Sequence, residues 1–304
     1  MATALSTNSI GPSLAKCPAC HAPWTTAGAV RVPLGRASDA MLTDMLRKQL
    51  HVLVYERCSF CNSLVATDER RDPQFLQSIY ELLPASYWHH LNPQAGLNIA
   101  IEKQLGKRGL VRGDLWDVGC GNGNLLSTLG RQWRKRGIEP GRQAVAEARA
   151  QNLDVLLGTP ASLQLREVAD AVLLVDVVEH LPEPELELLA IKQMLRPGGA
   201  LVVLTGRADA RTARFAGPHW YYLHCIGHVT IFSASSFPLL LRKLGFTDVA
   251  VFRVEHPGSV GLRRWTQRIG GNLLRSAIGK DPAAMHYYRD HQLVLATKPL
   301  SSNP

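Results

Sequence analysis

Apolar and polar positions fall into two kinds of pattern along this chain. Short, nearly continuous apolar runs occur at residues 115–118, 170–178 and 200–205, the first carrying Asp117 and the second broken by Asp176, each ending in glycine or polar residues. Runs of this length predict strands covered on both faces, as in a parallel sheet. Between them, apolar residues return every three or four positions, which predicts helices. Such stretches are 39–50, 73–83, 97–105, 142–151, and 124–129 with Leu125, Leu126 and Leu129 on one face. Another is opened by Pro184, with Leu186, Leu189 and Leu195 on its buried side. A further helix is capped by Ser235 or Ser236, runs through Leu244 and ends at Gly245. Strands are also predicted at 51–55, 133–139, 154–157, 247–254 and 292–298, the last two as an antiparallel pair. The segment 133–139 fits poorly, because Arg134, Lys135 and Arg136 interrupt the apolar run of a central strand. Strands alternating with helices predict an α/β fold.

Between the last two strands lie residues 255–291, far more than a hairpin needs, and this insertion reads as a substrate cap or a dimer surface. Residues 87–91, Tyr-Trp-His-His-Leu, would either gate a substrate pocket or pack two parts of the chain together. Residues 68–72 are charged and read as a linker. No stretch has the roughly eighteen apolar residues of a membrane helix, and residues 1–16 lack the apolar centre of a secretory leader. That predicts a cytoplasmic protein with no membrane partner. Of 304 residues 46% are hydrophobic, enough for a large core. The balance of 34 Lys+Arg against 25 Asp+Glu, net +9, keeps nucleic acid or an acidic small molecule open as partner. The basic groups are scattered over 131–136, 207–214 and 263–275, without an uninterrupted run.

Cysteine spacing changes the picture of the amino-terminal part. Cys17-Pro-Ala-Cys20 and Cys58-Ser-Phe-Cys61 are two Cys-x-x-Cys pairs. They can present four thiolates to one tetrahedral Zn²⁺, and a site closed by four protein sulfurs is structural, with no open position for chemistry. The competing reading is disulfides, which need an oxidising compartment that nothing here indicates. His21 reads as an exposed polar residue, and Cys120 and Cys225 as small packing residues.

Candidate chemistry concentrates after residues 115–118. Asp117-Val-Gly-Cys-Gly-Asn-Gly123 sets Gly119, Gly121 and Gly123 where strand passes to helix, and glycine lets a ligand approach main chain. The spacing is one residue tighter than the dinucleotide fingerprint, which argues for a nucleoside without a pyrophosphate. Glu139, about twenty residues beyond Asp117, can accept hydrogen bonds from both ribose hydroxyls. This turn, followed by Gly137-Ile-Glu-Pro140, Val178-Glu-His-Leu181 and Leu195-Arg-Pro-Gly-Gly199, resembles the class I S-adenosylmethionine-dependent methyltransferases over roughly residues 97–299. The resemblance implies a Rossmann-like seven-stranded α/β sheet, here behind a small zinc-ribbon-like module. It implies S-adenosylmethionine as cofactor, held by Asp117, Gly119, Cys120, Gly121, Asn122, Gly123 and Glu139. Thr159 stands where the family commonly has an acidic residue facing the adenine. Asp176 is placed beside the methionine part and His180 near the methyl group. For His180 the other reading is a helix-start histidine bonded to a neighbour. Trp220, His228, Phe232 and Ser233 match a pattern of many small-molecule members. His228 is thus the first candidate for a general base, with His224, Tyr221 and Tyr222 behind it, because a neutral imidazole takes up a proton near pH 7. Its other reading is a loop anchor.

The expected organisation is a flexible 1–16, a zinc-binding module at 17–70, a linker or gate helix at 71–96 and a methyltransferase domain at 97–304. The expected activity is methyl transfer to a small molecule of specialised or natural-product metabolism, with oxygen as the leading acceptor atom and carbon or nitrogen open. A four-cysteine module ahead of this domain resembles the zinc-containing sugar C-methyltransferases, which continue into a further domain beyond the point where this chain ends. The competing class is an RNA methyltransferase gripping phosphates with its basic surface and zinc module. Against it, the chain carries Asp-Val-Val-Glu-His after the strand, in place of an Asn-Pro-Pro-Tyr-like motif, and has no aromatic RNA-binding motif. A binding protein that kept the fold without the activity is a third reading.

Overall fold

The computed structural model describes residues 14–33, 52–82, 96–254 and 290–300. The expected helix at 39–50, the cluster at 87–91 and all but the last residues of the 255–291 insertion lie outside them. Three strands come first, β1 Thr26–Pro33, β2 Val52–Cys58 and β3 Leu64–Ala66. Five strands of the main sheet follow: β4 Gly113–Val118, β5 Trp133–Glu139, β6 Val155–Leu157, β7 Ala169–Val175 and β8 Leu195–Gly206. Then come the two-residue β9 Thr230–Ile231, β10 Thr247–Val254 and β11 His291–Thr297.

The main sheet has seven strands in the order β10-β11-β8-β7-β4-β5-β6. Its pairings from β8 to β6 are parallel, and β11 lies antiparallel between β8 and β10. Strand order reverses at β4, which is flanked by β5 and β7, and ligands of open α/β sheets bind beyond the carboxyl ends of strands at such a reversal. Alternate residues face opposite layers, as strand geometry requires. Leu115, Leu173, Val202 and Leu295 pack with the helices Leu97–Gly106 and Arg142–Ala150, whereas Trp116, Leu174, Val203 and Val294 pack with Pro184–Met194 and Ser236–Lys243.

The basic residues that seemed to forbid β5 are cross-strand partners. Arg134 lies opposite Asp114 of β4 and grips it with two bonds of 2.7 Å. Arg136 lies opposite Trp116, covers its ring and bonds Asp154 at 2.8 Å. Their apolar stems extend the sheet while their charges stay at its rim. The Arg134 pairing, with Arg196 behind it, holds the Asp114 carboxyl down at about 2.

Four expectations need correction. The helix Pro184–Met194 buries Leu188, Ile191 and Met194, while Leu186 and Leu189 are 52% and 38% exposed. Positions 184, 188, 191 and 194 share one face at helical spacing, and Leu195 already belongs to β8. Strand β7 stops at Val175, because Asp176 turns into the left-handed region with φ 52°. At the helix Ser236–Lys243 Ser235 holds the N-cap position, as expected, but its side chain makes no capping bond, and the hydroxyl that meets the Ser236 amide is that of Ser233, at 3.0 Å. Residues 68–72 are no linker: Glu69–Arg71 forms a 3₁₀ turn whose Arg70 is fully buried against Asp68.

The small sheet, ordered β1-β2-β3-β9 and antiparallel throughout, draws its last strand from the other side of the main domain. One of its faces packs Val32, Leu53, Tyr55 and Leu64 against Trp220, Tyr222, Ile226 and Ile231. The four cysteines join the core that holds Phe232, Phe237 and Leu240. Among the described residues no helix is long and apolar enough to cross a membrane.

Candidate active site

At the tip of β4, Gly119, Gly121 and Gly123 all take positive φ, 69°, 55° and 83°. A Cβ on Gly119 would meet Val177 at 2.6 Å, and one on Gly123 would meet Leu153 at 2.1 Å. Glycine is therefore required by conformation and by space. The Cys120 thiol fills the hollow opened by Gly137, where a Cβ would stand 2.4 Å from its sulfur. Asn122 is buried, and its carbonyl accepts from Gln151 at 3.1 Å.

Glu139 ends β5 beside this turn. Its carboxylate oxygens accept the Gly121 and Gly141 amides at 2.9 and 2.8 Å, which fixes the rotamer and leaves one lone pair on each oxygen for a diol. Burial raises its pKa against the pull of those two amides. Asp117 is buried behind it and pushed up to about 8, by burial first and the Glu139 charge second. The turn, with its glycines and buried acids, fits a nucleoside. Thr159 is the N-cap of the short helix Pro160–Leu163, accepting the Ser162 amide and donating its own amide to the Ser162 hydroxyl.

The opposite end of the site is gathered from distant segments. The amide of Asp176 donates to Leu204 at 2.9 Å, and its Oδ1 lies 3.9 Å from His291 Nε2. The 3₁₀ turn Val178–His180 follows, with Glu179 fully buried. Glu179 accepts from the Tyr222 hydroxyl through a very short contact and from Thr205 at 2.8 Å. Burial and the nearby Asp176 charge push it up to about 8. Gly206 leaves the space for the Tyr222 ring, where a Cβ would stand 2.3 Å from ring carbon, and its amide donates to Tyr222 at 2.9 Å.

His228 sits over this group. Its Nδ1 is 2.7 Å from the Tyr222 carbonyl, which can only accept, so Nδ1 carries the proton and Nε2 is the free acceptor face. Nε2 lies 3.9 Å from Glu179 Oε1, and the ring is 4.6 Å from that of His180. Burial, then the neighbouring His180, holds His228 well below the ordinary histidine range; burial also brings His180 down to about 4. Both rings are neutral at pH 7. Ligand atoms of His180, Cys225 and His228 lie within 4.8 Å of one another. Of the residues ranked behind His228, Tyr221 stacks on His291 and His224 bonds the Pro218 carbonyl at 3.0 Å.

Sequence reasoning missed Glu179 as a functional group although it stood inside a quoted motif. It also missed Asp290 and His291, which end the insertion: Asp290 accepts from Trp220 Nε1 and pairs with His291 Nδ1, both at 2.8 Å. No spacing rule would have found these two.

The four amino-terminal cysteines converge. Cys17 and Cys61 sulfurs are 3.8 Å apart, Cys20 and Cys58 are 3.9 Å apart, and all four lie within 4.8 Å. A tetrahedral ion with bonds of about 2.3 Å sets its sulfurs about 3.8 Å apart, so the donor set fits. Main-chain amides of Ala19, Cys20, Ala22 and Ser63 point at the sulfurs and favour thiolates. The Cys17 hydrogen bond brings Cys61 down to about 5, and the same contact, with burial, drives Cys17 far up. His21 is half-buried and pairs with Glu185 at 3.2 Å, which corrects its reading as a free surface residue.

The sequence matches the family model of a methyltransferase domain over residues 87–251. The tRNA U34 carboxymethyltransferase of Desulfotalea psychrophila is 30% identical over 161 residues, 50% of this chain and 50% of its own. The ubiquinone biosynthesis O-methyltransferase of Sodalis glossinidius is 26% identical over 155 residues, 45% of this chain and 60% of its own. The chain thus spans about half the length of the curated relatives it matches. A SAM-dependent methyltransferase of Thermotoga maritima, described as a possible histamine N-methyltransferase, superimposes with a TM-score of 0.51 at 22% identity, over 73% of this chain and 99% of its own. That likeness speaks for the fold. With the glycine turn, the acid at the end of β5 and a matched domain over more than half its length, the chain belongs to the methyltransferase-domain family, on the fold of the S-adenosylmethionine-dependent methyltransferases.

Proposed function

We propose that this protein moves the methyl group of S-adenosylmethionine to an oxygen of a small-molecule acceptor, with His228 taking the acceptor's proton. The observation that carries the reading is the 2.7 Å approach of His228 Nδ1 to the Tyr222 carbonyl, an acceptor only, which commits the Nδ1 proton there and leaves Nε2 to accept. The cofactor supplies an activated methyl and its own leaving group. The chain must bind it, orient the acceptor, exclude water and hold a proton. Asp117, Gly119, Cys120, Gly121, Asn122 and Gly123 form the cradle, Glu139 takes the ribose hydroxyls, Thr159 borders the adenine and Asp176 the amino-acid part. With the cofactor bound, an oxygen–methyl bond would form as the sulfur–methyl bond breaks and the neutral thioether leaves, and the hydroxyl proton would pass to His228 Nε2. The resulting imidazolium would lie 3.9 Å from Glu179, with the His180 and Tyr222 rings packed against it.

The ubiquinone-biosynthesis relatives support oxygen as the acceptor atom, and the basic surface together with the tRNA-modifying relative defines the competing outcome. Transfer of labelled methyl from S-adenosylmethionine into a deproteinised cell extract, fractionated into small molecules and RNA, tests the reading. Label in the small molecules is expected, and label in RNA overturns it. For Cys17, Cys20, Cys58 and Cys61 we propose a structural Zn²⁺, and one zinc per chain is expected by elemental analysis. A stoichiometry of two would assign the second ion to His180, Cys225 and His228 and remove His228 as base.

A further inference from the structure

The four-cysteine module is buried, closed and apart from the reacting groups, yet its strands reach the loop that carries His228. Strand β2 holds the metal ligand Cys58 and, three residues earlier, Tyr55. The Tyr55 hydroxyl lies 3.3, 3.4 and 3.2 Å from the carbonyls of Leu223, Cys225 and His228. Arg70 is fully buried beside it, its guanidinium 4.4 Å from the Tyr55 ring centre. All five of its N–H groups are placed: two on Asp68 at 2.7 and 2.8 Å, one on Tyr55 at 2.8 Å, one on the His228 carbonyl at 3.0 Å and one on Val54 at 3.2 Å.

The exit of the same loop is zipped onto β3. Val65 pairs with Thr230 and Leu64 with Ile231, and the Ala66 amide donates to Val229 at 2.8 Å. The Val229 amide in turn donates to the Glu179 carbonyl at 2.8 Å. Next to the metal ligand Cys61, Ser63 meets Ser236 at 2.8 Å and accepts the Ser233 amide at 3.1 Å. The loop that bears His228 is therefore held from within by Tyr55 and Arg70, and from its far end by β3. These holds stand on β2, which ends at Cys58, on the segment Ser63–Ala66, which begins two residues after Cys61, and on the turn Glu69–Arg71 that follows it.

We propose that the four-cysteine module is a positioning device for the reaction centre: a metal bound by Cys17, Cys20, Cys58 and Cys61 sets the placement of residues 221–229, through Tyr55 and Arg70, without touching any reacting atom. The proposal rests on the reading of His228 as the group nearest the chemistry. Tyr55 and Arg70 are positioning residues. A metal at the four cysteines, as proposed above, then governs turnover from a distance, whereas cofactor binding, built mainly on residues 117–141, stands independently of it.

Hydrogen–deuterium exchange on the full-length protein tests this without knowledge of the acceptor. In Tyr55→Phe, which keeps the ring and loses the hydroxyl, one zinc per chain and unaltered S-adenosylmethionine affinity are expected. Exchange in peptides covering 221–231 is expected to rise about tenfold, as local opening becomes easier. Arg70→Gln gives the same pattern more strongly, and Arg70→Lys restores part of the protection. Removing the metal with a chelator raises exchange at 221–231 while residues 117–141 keep theirs. Unchanged exchange at 221–231 in Tyr55→Phe overturns the proposal, and so does an equal rise at 117–141 on metal removal, which would make the metal a support of the whole fold. Failure of the unaltered protein to bind S-adenosylmethionine would count against methyl transfer and leave the exchange result intact.

Discussion

The two ends of the site are built in opposite ways. The proposed cofactor end rests mainly on one continuous stretch, 117–141, main chain shaped by glycines and braced by the Glu139 carboxylate, with Thr159 and Asp176 at its borders. The acceptor end is assembled from Asp176 to His180, Thr205 to His228 and Asp290 to His291, with Tyr55 and Arg70 behind them. One end depends on local conformation, the other on whether separate parts of the chain have docked. The comparison teaches that a ligand common to a family can be gripped by a short motif, whereas an acceptor peculiar to one member is recognised by tertiary structure.

The sharpest way to separate the ends is His228→Asn. Loss of a general base is expected to lower kcat about 10²- to 10⁴-fold with S-adenosylmethionine affinity unchanged. Normal turnover would make His228 a loop anchor. Glu139→Ala should act in the reverse sense, weakening cofactor binding about 10- to 100-fold by calorimetry, since the Gly121 and Gly141 amides also lose their acceptor. The exchange of residues 221–231 should not respond. A smaller effect is expected from pH. Asp117 and Glu179 are raised to about 8 in the cofactor-free protein, so near neutrality both are largely protonated. A sulfonium cation favours their ionised forms, and binding therefore releases protons below pH 8. Affinity should strengthen from pH 7 towards pH 8, by at most about tenfold per pH unit for each proton released, and level off above. S-adenosylhomocysteine, which lacks the cationic sulfur, should show a flatter profile. The smallest change is expected for His21→Ala, whose partly exposed pair with Glu185 contributes no more than about 1 kcal/mol to stability by thermal unfolding.

What the sequence disclosed divides along the same line. The helix at Asn124 and the placing of Glu139 beside the glycine turn were legible, because both follow from short motifs. The face of Pro184–Met194 was not, since its leucines occur on both sides and only packing on the sheet selects Leu188 over Leu186 and Leu189. Arg134 and Arg136 argued against a strand until their partners Asp114, Trp116 and Asp154 were visible. Residues 68–72 looked like solvated charge. Asp68 supplies two acceptors from nearby in the chain, but nothing there announces that Val54, Tyr55 and His228 will supply the other three, and a lone buried guanidinium is prohibitive without them.

The pairing of β3 with β9 also bears on the order in which this protein can be made. Residues 17–66 leave the ribosome well before Thr230 and Ile231, so the edge Leu64–Ala66 stays open until those two have been synthesised. An unpaired apolar edge is an invitation to foreign strands. The amino-terminal module cut away on its own would therefore be a sticky fragment, and grafting it onto another protein would require carrying Thr230 and Ile231 along.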